Sequence, residues 1–153
     1  MAMYDIIGVF SDGQTDFGGA TATETILSED ILNLGDSDLN WGNAELWLNI
    51  QVGTAFTSGG TPSTTITMNS STDTTVNASD TAVITVAAQD LTALSSGDYV
   101  FRGRLPVAVD VEQYLGIVFV NTAAAYTAGS FDIWIDHGSQ SDFSTQKALS
   151  NIT

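Results

Sequence analysis

The sequence contains no cysteine, a single histidine and only three basic residues among its 153 positions. The absence of cysteine excludes disulfide bonds, thiolate metal ligands and a cysteine nucleophile. The lone histidine, His137, argues against catalytic zinc, because such sites usually hold the metal with two or three histidines. We therefore expect no metal site and no cofactor, and we interpret His137 as an ordinary residue at the end of a strand.

Eighteen acidic residues face the three basic ones, Arg102, Arg104 and Lys147, so the formal net charge is −15. Such a charge repels the phosphates of nucleic acids and the anionic lipids of membranes. No window contains the roughly 18 uninterrupted apolar residues of a membrane-spanning helix. The sequence therefore predicts neither a nucleic-acid partner nor a membrane partner. The charge is explained either by solubility through self-repulsion or by complementarity to a basic partner surface.

The stretch DSDLNWGNAE, residues 36–45, begins like a calcium-binding loop. Asp36, Asp38 and Asn40 stand at alternate positions, which allows their oxygens to converge on one hard cation. The match ends at Trp41, which stands where such a loop needs glycine for its sharp turn. We therefore interpret these residues as an exposed turn between two strands rather than as a metal site.

Two hydrolase motifs are incomplete in this sequence. The block GDSDL, residues 35–39, is similar to the G-D-S-L nucleophile block of an esterase family, but Asp38 interrupts it. The histidine of that chemistry usually follows an aspartate by three residues, and here the residue three before His137 is Trp134. The sequence also contains no G-x-S-x-G nucleophile elbow. We therefore expect that the protein is not an enzyme.

Threonine is abundant, at 20 residues, and β-branched side chains favour the pleated, half-buried surface of a sheet. Residues 44–52, AELWLNIQV, alternate apolar and polar side chains, which is the period of a strand with one face in the core. Further strands are predicted at residues 25–34, 64–69, 81–87, 99–105, 114–120 and 131–136, with an eighth near residues 4–10. A turn or two of helix is expected at residues 88–94. This pattern predicts an all-β fold, an antiparallel β-sandwich of seven or eight strands in a single domain, residues 1–153.

Trp47 and Trp134 fall on the polar side of their predicted strands, beside acidic and amide residues. Exposed tryptophans in this setting indicate a binding face, either for sugars, on which aromatic rings stack, or for a protein partner. The competing interpretation is that a covering loop buries this second face of the sandwich. Further aromatic candidates for such a face are Trp41, Tyr99, Tyr114 and Tyr126.

Several blocks of the sequence resemble, in the same order, the small capsid cement proteins of short-tailed bacteriophages. These blocks are YDIIGVFSDGQ, SEDILNLG, LWLNIQVGTAFTSGG, TTITMNSSTD, LSSGDYVFRGRLP, YLGIVFV and YTAGSFDIWI. The most characteristic pieces are FSDGQ, TAFTSGG and TAGSF. The resemblance covers residues 4–136, whereas the longer acidic turn at residues 36–43 and the chain after His137 have no counterpart.

The resemblance implies a jelly-roll-like β-sandwich that lies on the outer capsid surface of a virion assembled in the host cytoplasm. There the protein would bind the phage major capsid protein and bridge its subunits to stabilise the shell. The resemblance also implies that the protein associates with itself as a homodimer or homotrimer, and that it carries out no catalysis. The alternative function is a carbohydrate- or receptor-binding β-sandwich module that uses exposed Trp and Tyr residues.

Both ends of the chain are expected to contribute contacts, because extended termini can add strands to the sheet edges of neighbouring subunits. We interpret residues 1–16 as an N-terminal segment that leads into the sandwich through a turn at Asp12 and Gly13. Residues 138–153 are interpreted as a C-terminal arm. The predicted partner-binding residues are Tyr4, Phe10, Asp12, Gln14, Trp47, Trp134 and Phe143.

Overall fold

The computed structural model describes residues 8–14, 17, 23–35, 46–106 and 111–137. Within these ranges the chain forms nine β-strands: β1 (Val9–Gln14), β2 (Glu24–Leu27), β3 (Leu32–Asn33), β4 (Leu46–Ser58), β5 (Ser63–Ser71), β6 (Thr81–Gln89), β7 (Tyr99–Arg104), β8 (Tyr114–Thr122) and β9 (Tyr126–His137). A 3₁₀ helix, Leu91–Ala93, lies between β6 and β7. Tyr4, Phe143 and the acidic turn at residues 36–45 lie outside the described residues.

The strands form two antiparallel sheets that pack face to face. The front sheet has the strand order β1-β9-β4-β7, and the back sheet has the order β2-β8-β5-β6, with the short β3 also paired to β8. When β3 is set aside and the other eight strands are lettered B to I, these orders become B-I-D-G and C-H-E-F, which is the jelly roll. The topology therefore confirms the predicted antiparallel, jelly-roll-like sandwich, with nine described strands where seven or eight were expected.

Alternation along the strands places apolar side chains between the two sheets. In β4, Leu48, Ile50 and Val52 lie in the core and are each 1% exposed. Ile117 and Phe119 of β8 reach the same core from the back sheet. Burying a side chain of this size stabilises the fold by about 1.5–3 kcal/mol. A slip of one residue in the register would move the whole set to the outside, so the core fixes the strand pairing.

Four phenylalanine rings form the centre of the core. Phe17 meets Phe56, Phe119 and Phe131 edge to face, with ring centroids 5.5, 4.9 and 5.0 Å apart. Phe119 and Phe131 stack with their centroids 5.1 Å apart. Phe119 belongs to the back sheet, whereas Phe56 and Phe131 belong to the front sheet. Because each aromatic pair contributes about 0.5–1.5 kcal/mol beyond the burial of its area, this cluster holds the two sheets together.

The loop between β5 and β6, residues 72–80, folds back over the outer face of the back sheet. Val76 in this loop is 2% exposed, and a Cβ atom added to Gly116 of β8 would lie 3.0 Å from the Val76 Cβ. The Asn69 side-chain amide of β5 donates to the Asn77 carbonyl at 2.7 Å. The outer face of the back sheet is therefore partly covered by the chain itself.

The predicted strand at residues 25–34 and the predicted helix at residues 88–94 differ from the structure. The single strand expected at residues 25–34 is two strands, β2 and β3. Ser28 separates them, because its hydroxyl donates to the Asp30 carbonyl at 2.8 Å and accepts the Ile117 amide at 3.1 Å. The helix expected at residues 88–94 is shorter, because β6 continues to Gln89 and the Asp90 carboxylate then caps the 3₁₀ helix.

The predicted turn at Asp12 and Gly13 is wrong, because both residues lie within β1. The register with β9 shifts on each side of Ser11 and Asp12, so this part of β1 is bulged. Gly13 has a φ of 72°, which glycine adopts without strain, and its N–H donates to the Asp132 carboxylate at 2.8 Å. An Asp-Gly pair favours a turn and a glycine bulge for the same conformational reason, so the sequence alone does not separate them.

A buried polar chain crosses the core beside the 3₁₀ helix. The Thr64 hydroxyl donates to the Asn121 side-chain oxygen at 3.3 Å, so the Tyr126 hydroxyl, 3.0 Å from Thr64, must be the donor in their shared bond. The Leu91 amide in turn donates to the Tyr126 hydroxyl at 3.4 Å. Burial raises the pKa of the Tyr126 phenol, and its hydrogen bonds with Thr64 and Leu91, which lower it, do not compensate.

Replacing Tyr126 by phenylalanine is expected to lower the free energy of unfolding at pH 7 by about 1–2 kcal/mol, because the Leu91 amide loses its acceptor and the Thr64 hydroxyl, which keeps Asn121, loses the Tyr126 donor. The raised pKa also makes a prediction for alkaline solution. The neutral phenol is favoured in the folded state, so its contribution is complete below the unfolded pKa of 10.0 and declines as the pH rises above it. Urea unfolding of both proteins from pH 7 to 11 measures this. The wild type should lose more stability above pH 10 than Tyr126→Phe, and parallel pH profiles would contradict the assignment.

Candidate functional site

The outer face of the front sheet gathers aromatic and basic side chains. In β4 and β9 the residues between the core positions point away from the core, and in β7 Tyr99 and the two arginines do the same. Strand pairing places these residues side by side. We call this surface the arginine-aromatic face and define it by Trp47, Asn49, Gln51, Tyr99, Arg102, Arg104, Asp132, Trp134 and Asp136.

The strand register arranges the face in three rows that cross β7, β4 and β9. The rows are Arg104, Trp47, Asp136; then Arg102, Asn49, Trp134; then Tyr99, Gln51, Asp132. Directly opposed residues of neighbouring strands have their Cβ atoms about 4.5–5.5 Å apart. Each row therefore places three side chains next to one another across three strands.

Tyr99 lies at the centre of the contacts on this face. The Arg102 guanidinium lies over its ring, 5.5 Å from the centroid, and the Trp134 ring lies 6.2 Å away from it. A cation-π contact at an exposed site contributes about 0.5–1 kcal/mol. These contacts restrict three long side chains, so less conformational entropy would be lost if a partner bound here.

Exposure differs sharply among these aromatic residues. Tyr99 is 44% exposed, whereas Trp134 is 8% exposed and Trp47 is half-buried. The Trp134 indole N–H donates to the Asp136 carboxylate at 3.3 Å. The prediction that Trp134 is exposed is therefore wrong: it points away from the core, but it lies in the middle of the sheet and its neighbours cover it.

The charge of the face differs from that of the rest of the chain. Both arginines are exposed, and with Asp132 and Asp136 they make the face formally neutral in a chain whose net charge is −15. Arg102 and Arg104 are all the basic residues of the described ranges, since Lys147 falls outside them. The arginine-aromatic face is thus the part of the described surface where an acidic protein exposes its guanidinium groups.

Five of the predicted partner-binding residues lie on strands of the front sheet: Phe10, Asp12 and Gln14 on β1, Trp47 on β4 and Trp134 on β9. Of these, Trp47 and Trp134 belong to the arginine-aromatic face. Asp12 is exposed beside it, opposite Asp132. The Phe10 side chain is 1% exposed and packs in the core, so it does not reach the surface.

Arg102 and Arg104 were not predicted as site residues, although the sequence carries a signal for them. In YVFRGR, arginines two residues apart on one strand point to the same face. Their position beside Trp47 and Trp134 depends on pairing between strands that are far apart in the sequence. No local sequence pattern predicts this pairing.

The described ranges contain no cluster of three or more histidine, cysteine or acidic residues arranged to hold a metal ion. In the same ranges, no helix has the length and apolar character needed to cross a membrane.

The fold and this face define a class of protein: a jelly-roll β-sandwich with a preorganised, neutral, arginine-containing surface on one sheet. The Bbp16 family model matches residues 10–135, from β1 to β9. The chain therefore belongs to the Bbp16 family. No curated protein matches the sequence.

Proposed function

We propose that this protein is a structural virion protein, a capsid cement or decoration protein that binds the outer surface of a phage head and bridges major capsid protein subunits. The observation that carries the proposal is where the most characteristic resembling blocks fall in the fold. FSDGQ contains the Gly13 bulge of β1, and TAGSF contains Gly129 of β9, which abuts Phe56 of the TAFTSGG block in β4. Each of these blocks therefore falls at a bulge or a tight glycine contact of β1, β9 or β4, which are adjacent strands. A chance similarity in amino-acid composition would not reproduce these features together.

The jelly roll is compatible with the proposal but does not decide it. Viral capsid proteins and lectins both use this fold, so function depends on the surface rather than on the topology. A sugar-binding platform needs exposed aromatic rings, and Tyr99 is the single large apolar side chain of the described residues that is substantially exposed. The burial of Trp134 removes the main support for the carbohydrate-binding alternative, whereas it suits a protein interface with a packed centre.

The arginine-aromatic face is the proposed attachment surface. Tyr, Trp and Arg are the residues that most often dominate the energy of protein interfaces, especially near the centre of the contact. Tyr99, Arg102 and Trp134 lie together on this face. A stable contact would bury about 800 Å² on each partner, and bridging would require contacts with more than one capsid subunit. The net charge of −15 disfavours binding to DNA.

The direct test is to add the purified protein to phage heads that lack it and to sediment the heads. We expect the protein to co-sediment at a saturable ratio and to raise the temperature at which the heads release DNA. Heads that already carry the protein serve as the control, because their sites are occupied. A protein that stays in the supernatant, or whose tryptophan fluorescence is quenched saturably by saccharides instead, would refute the proposal.

A further inference from the structure

β7 is an outer strand of the front sheet, and it carries both arginines of the arginine-aromatic face. Among the described residues it pairs with β4 alone. Arg102 and Arg104 stand two residues apart in this strand, so their side chains project from the same face. Both side chains are exposed. The side of β7 that faces away from β4 is therefore the sheet edge of the described chain that guanidinium groups line.

A bulge in β7 places the Tyr99 ring beneath Arg102. Residues three apart in a regular strand project from opposite faces, but the register with β4 shifts between Tyr99 and Phe101. The extra residue turns Tyr99 to the face that carries Arg102, and the guanidinium lies over the ring, 5.5 Å from its centroid. A guanidinium that rests on a ring keeps its N–H donors at its rim, in the fork geometry that a carboxylate accepts.

The two acidic residues of the arginine-aromatic face bond to other donors. The Asp132 carboxylate accepts the Gly13 N–H at 2.8 Å, and the Asp136 carboxylate accepts the Trp134 indole N–H at 3.3 Å. Both acids belong to β9, which β4 separates from β7. The described front sheet therefore does not supply a carboxylate to the Arg102 guanidinium.

The backbone of β7 offers hydrogen bonds at the same two arginines. The Leu105 N–H donates to the Leu46 carbonyl of β4 at 2.8 Å, and this bond fixes which residues of β7 bond to β4, because they alternate along an antiparallel strand. The N–H and C=O groups of Arg102 and Arg104 consequently point away from β4. A strand added on that side would form hydrogen-bonded pairs with both arginines, and its two paired side chains would project from the same face as theirs.

Gly103 determines what an added strand would meet between the two arginines. A Cβ atom at Gly103 would overlap the Phe101 ring, so glycine allows this ring to lie along the inner side of β7. The Phe101 ring packs against the core but is only half-buried. The residue of an added strand that opposes Gly103 would cover this ring, which favours an apolar side chain.

We propose that the arginine-aromatic face binds an extended segment of the capsid protein that has the pattern acid, apolar, acid and that joins β7 as an antiparallel strand. The two carboxylates would meet Arg102 and Arg104, and the apolar side chain would meet Phe101. The proposal rests on the proposed function, because it names the kind of capsid segment that this face would bind.

Charge complementarity selects this occupant. Opposite charges on directly opposed residues stabilise a pair of strands, and like charges destabilise it. The arginines of β7 therefore deter basic strands and favour acidic ones. The net charge of −15 does not prevent the contact, because the Debye length is about 8 Å at physiological salt and more distant exposed charges are largely screened.

Short peptides test the proposal without phage heads. In isotope-labelled protein, the end-capped peptide STEVETS is expected to shift the NMR signals of the β7 backbone amides, above all those of Arg102 and Arg104. The control peptide STEEVTS has the same composition and charge, but its adjacent glutamates project from opposite faces of a strand. It should therefore bind at least about tenfold more weakly. Equal affinities of the two peptides would overturn the proposal.

Methylation of peptide nitrogens tests the main-chain pairing. Methyl groups on both glutamate nitrogens of STEVETS remove the N–H donors that would bond to the carbonyls of β7, so binding should be lost. The valine N–H would point away from β7, and its methylation should cost less than about tenfold in affinity. Equal losses from the two modifications would contradict strand addition.

A charge exchange tests the direction of the added strand. In antiparallel pairing the second glutamate of STEVETS opposes Arg102. Arg102→Glu should therefore lose affinity for STEVETS and recover it with STEVKTS, but not with STKVETS, and circular dichroism should show that the variant is folded. Recovery with STKVETS instead would contradict the antiparallel arrangement.

Failure of this inference and failure of the proposed function give different results. If the protein co-sediments with heads but STEVETS leaves the β7 signals unchanged, the function stands and the inference is wrong. If STEVETS binds β7 but the protein does not attach to heads, the proposed function fails, and with it the assignment of the segment to the capsid. Signals of β7 that shift with the concentration of the protein alone would place a second copy on this edge and overturn the inference.

Discussion

Replacing Gly129 by alanine is expected to lower the free energy of unfolding by about 3–5 kcal/mol, enough to unfold a large fraction of a marginally stable domain. A Cβ atom at this position would overlap the Phe56 ring, and Phe56 has no room to move because it packs against Phe17, Tyr126 and Phe131. Overpacking of a core typically costs about 1–3 kcal/mol. The φ of 142° adds backbone strain of about 1–3 kcal/mol, because residues other than glycine rarely adopt it.

Urea unfolding followed by near-ultraviolet circular dichroism measures this loss. Gly59→Ala is the matched control, because nothing lies within 4 Å of a Cβ atom added there, and its stability should change by no more than about 0.5 kcal/mol. Adding Gly129→Ala to a Phe56→Ala background should cost less than adding it to the wild type, because the overlap is gone. A Gly129→Ala protein within 1 kcal/mol of the wild type would show that the contact with Phe56 relaxes freely.

Under the proposed function, replacing Arg102 by glutamate is expected to weaken attachment to phage heads by about tenfold or more, equivalent to about 1.4 kcal/mol. The wild-type guanidinium is held over the Tyr99 ring, where its N–H groups are preorganised to meet acceptors of a partner. The substitution removes these donors and places a carboxylate on a face that is otherwise neutral. The penalty should shrink at high salt, because screening weakens interactions between exposed charges.

The control must separate this local effect from the general increase in negative charge. The double substitution Thr72→Glu and Thr74→Glu lowers the net charge by the same two units, but it does so in the loop between β5 and β6, on the back sheet. Titration of heads followed by sedimentation gives the dissociation constant of each variant. If the loop variant binds ten times more weakly while Arg102→Glu binds like the wild type, attachment occurs through the back sheet instead.

Much of the fold follows from local pattern. The alternation around Leu48, Ile50 and Val52 predicts which face of β4 enters the core, and those residues are buried. The bulges do not follow from such a pattern, because a bulge forms where the register between two paired strands shifts. Gly13 is an example. The residues around it predict a turn, but its N–H donates a hydrogen bond to the carboxylate of Asp132, 119 residues later in the sequence, and β1 continues through it.

The candidate site can be predicted only in part, because local alternation gives the direction of a side chain but not its neighbours. Alternation correctly directs Trp47 and Trp134 away from the core, because direction depends on the strand alone. Exposure depends on neighbours: Trp134 contacts Tyr99 of β7, which lies two strands away in the front sheet. The residues that surround an outward-facing side chain depend on which distant strands pair with its own strand. The sequence of one strand alone does not predict that pairing.

The two outer faces of the sandwich are unequal, because residues 72–80 lie over the back sheet while the arginine-aromatic face carries the chain's described arginines. The molecule therefore has two chemically different outer faces, and under the proposed function only the arginine-aromatic face attaches to the capsid. Under the proposed function every bound copy would turn the same loop toward the medium. Thr74 is exposed in that loop, whereas Val76 anchors it. A foreign peptide inserted at Thr74 would therefore be displayed on the particle exterior in one orientation, away from the shell.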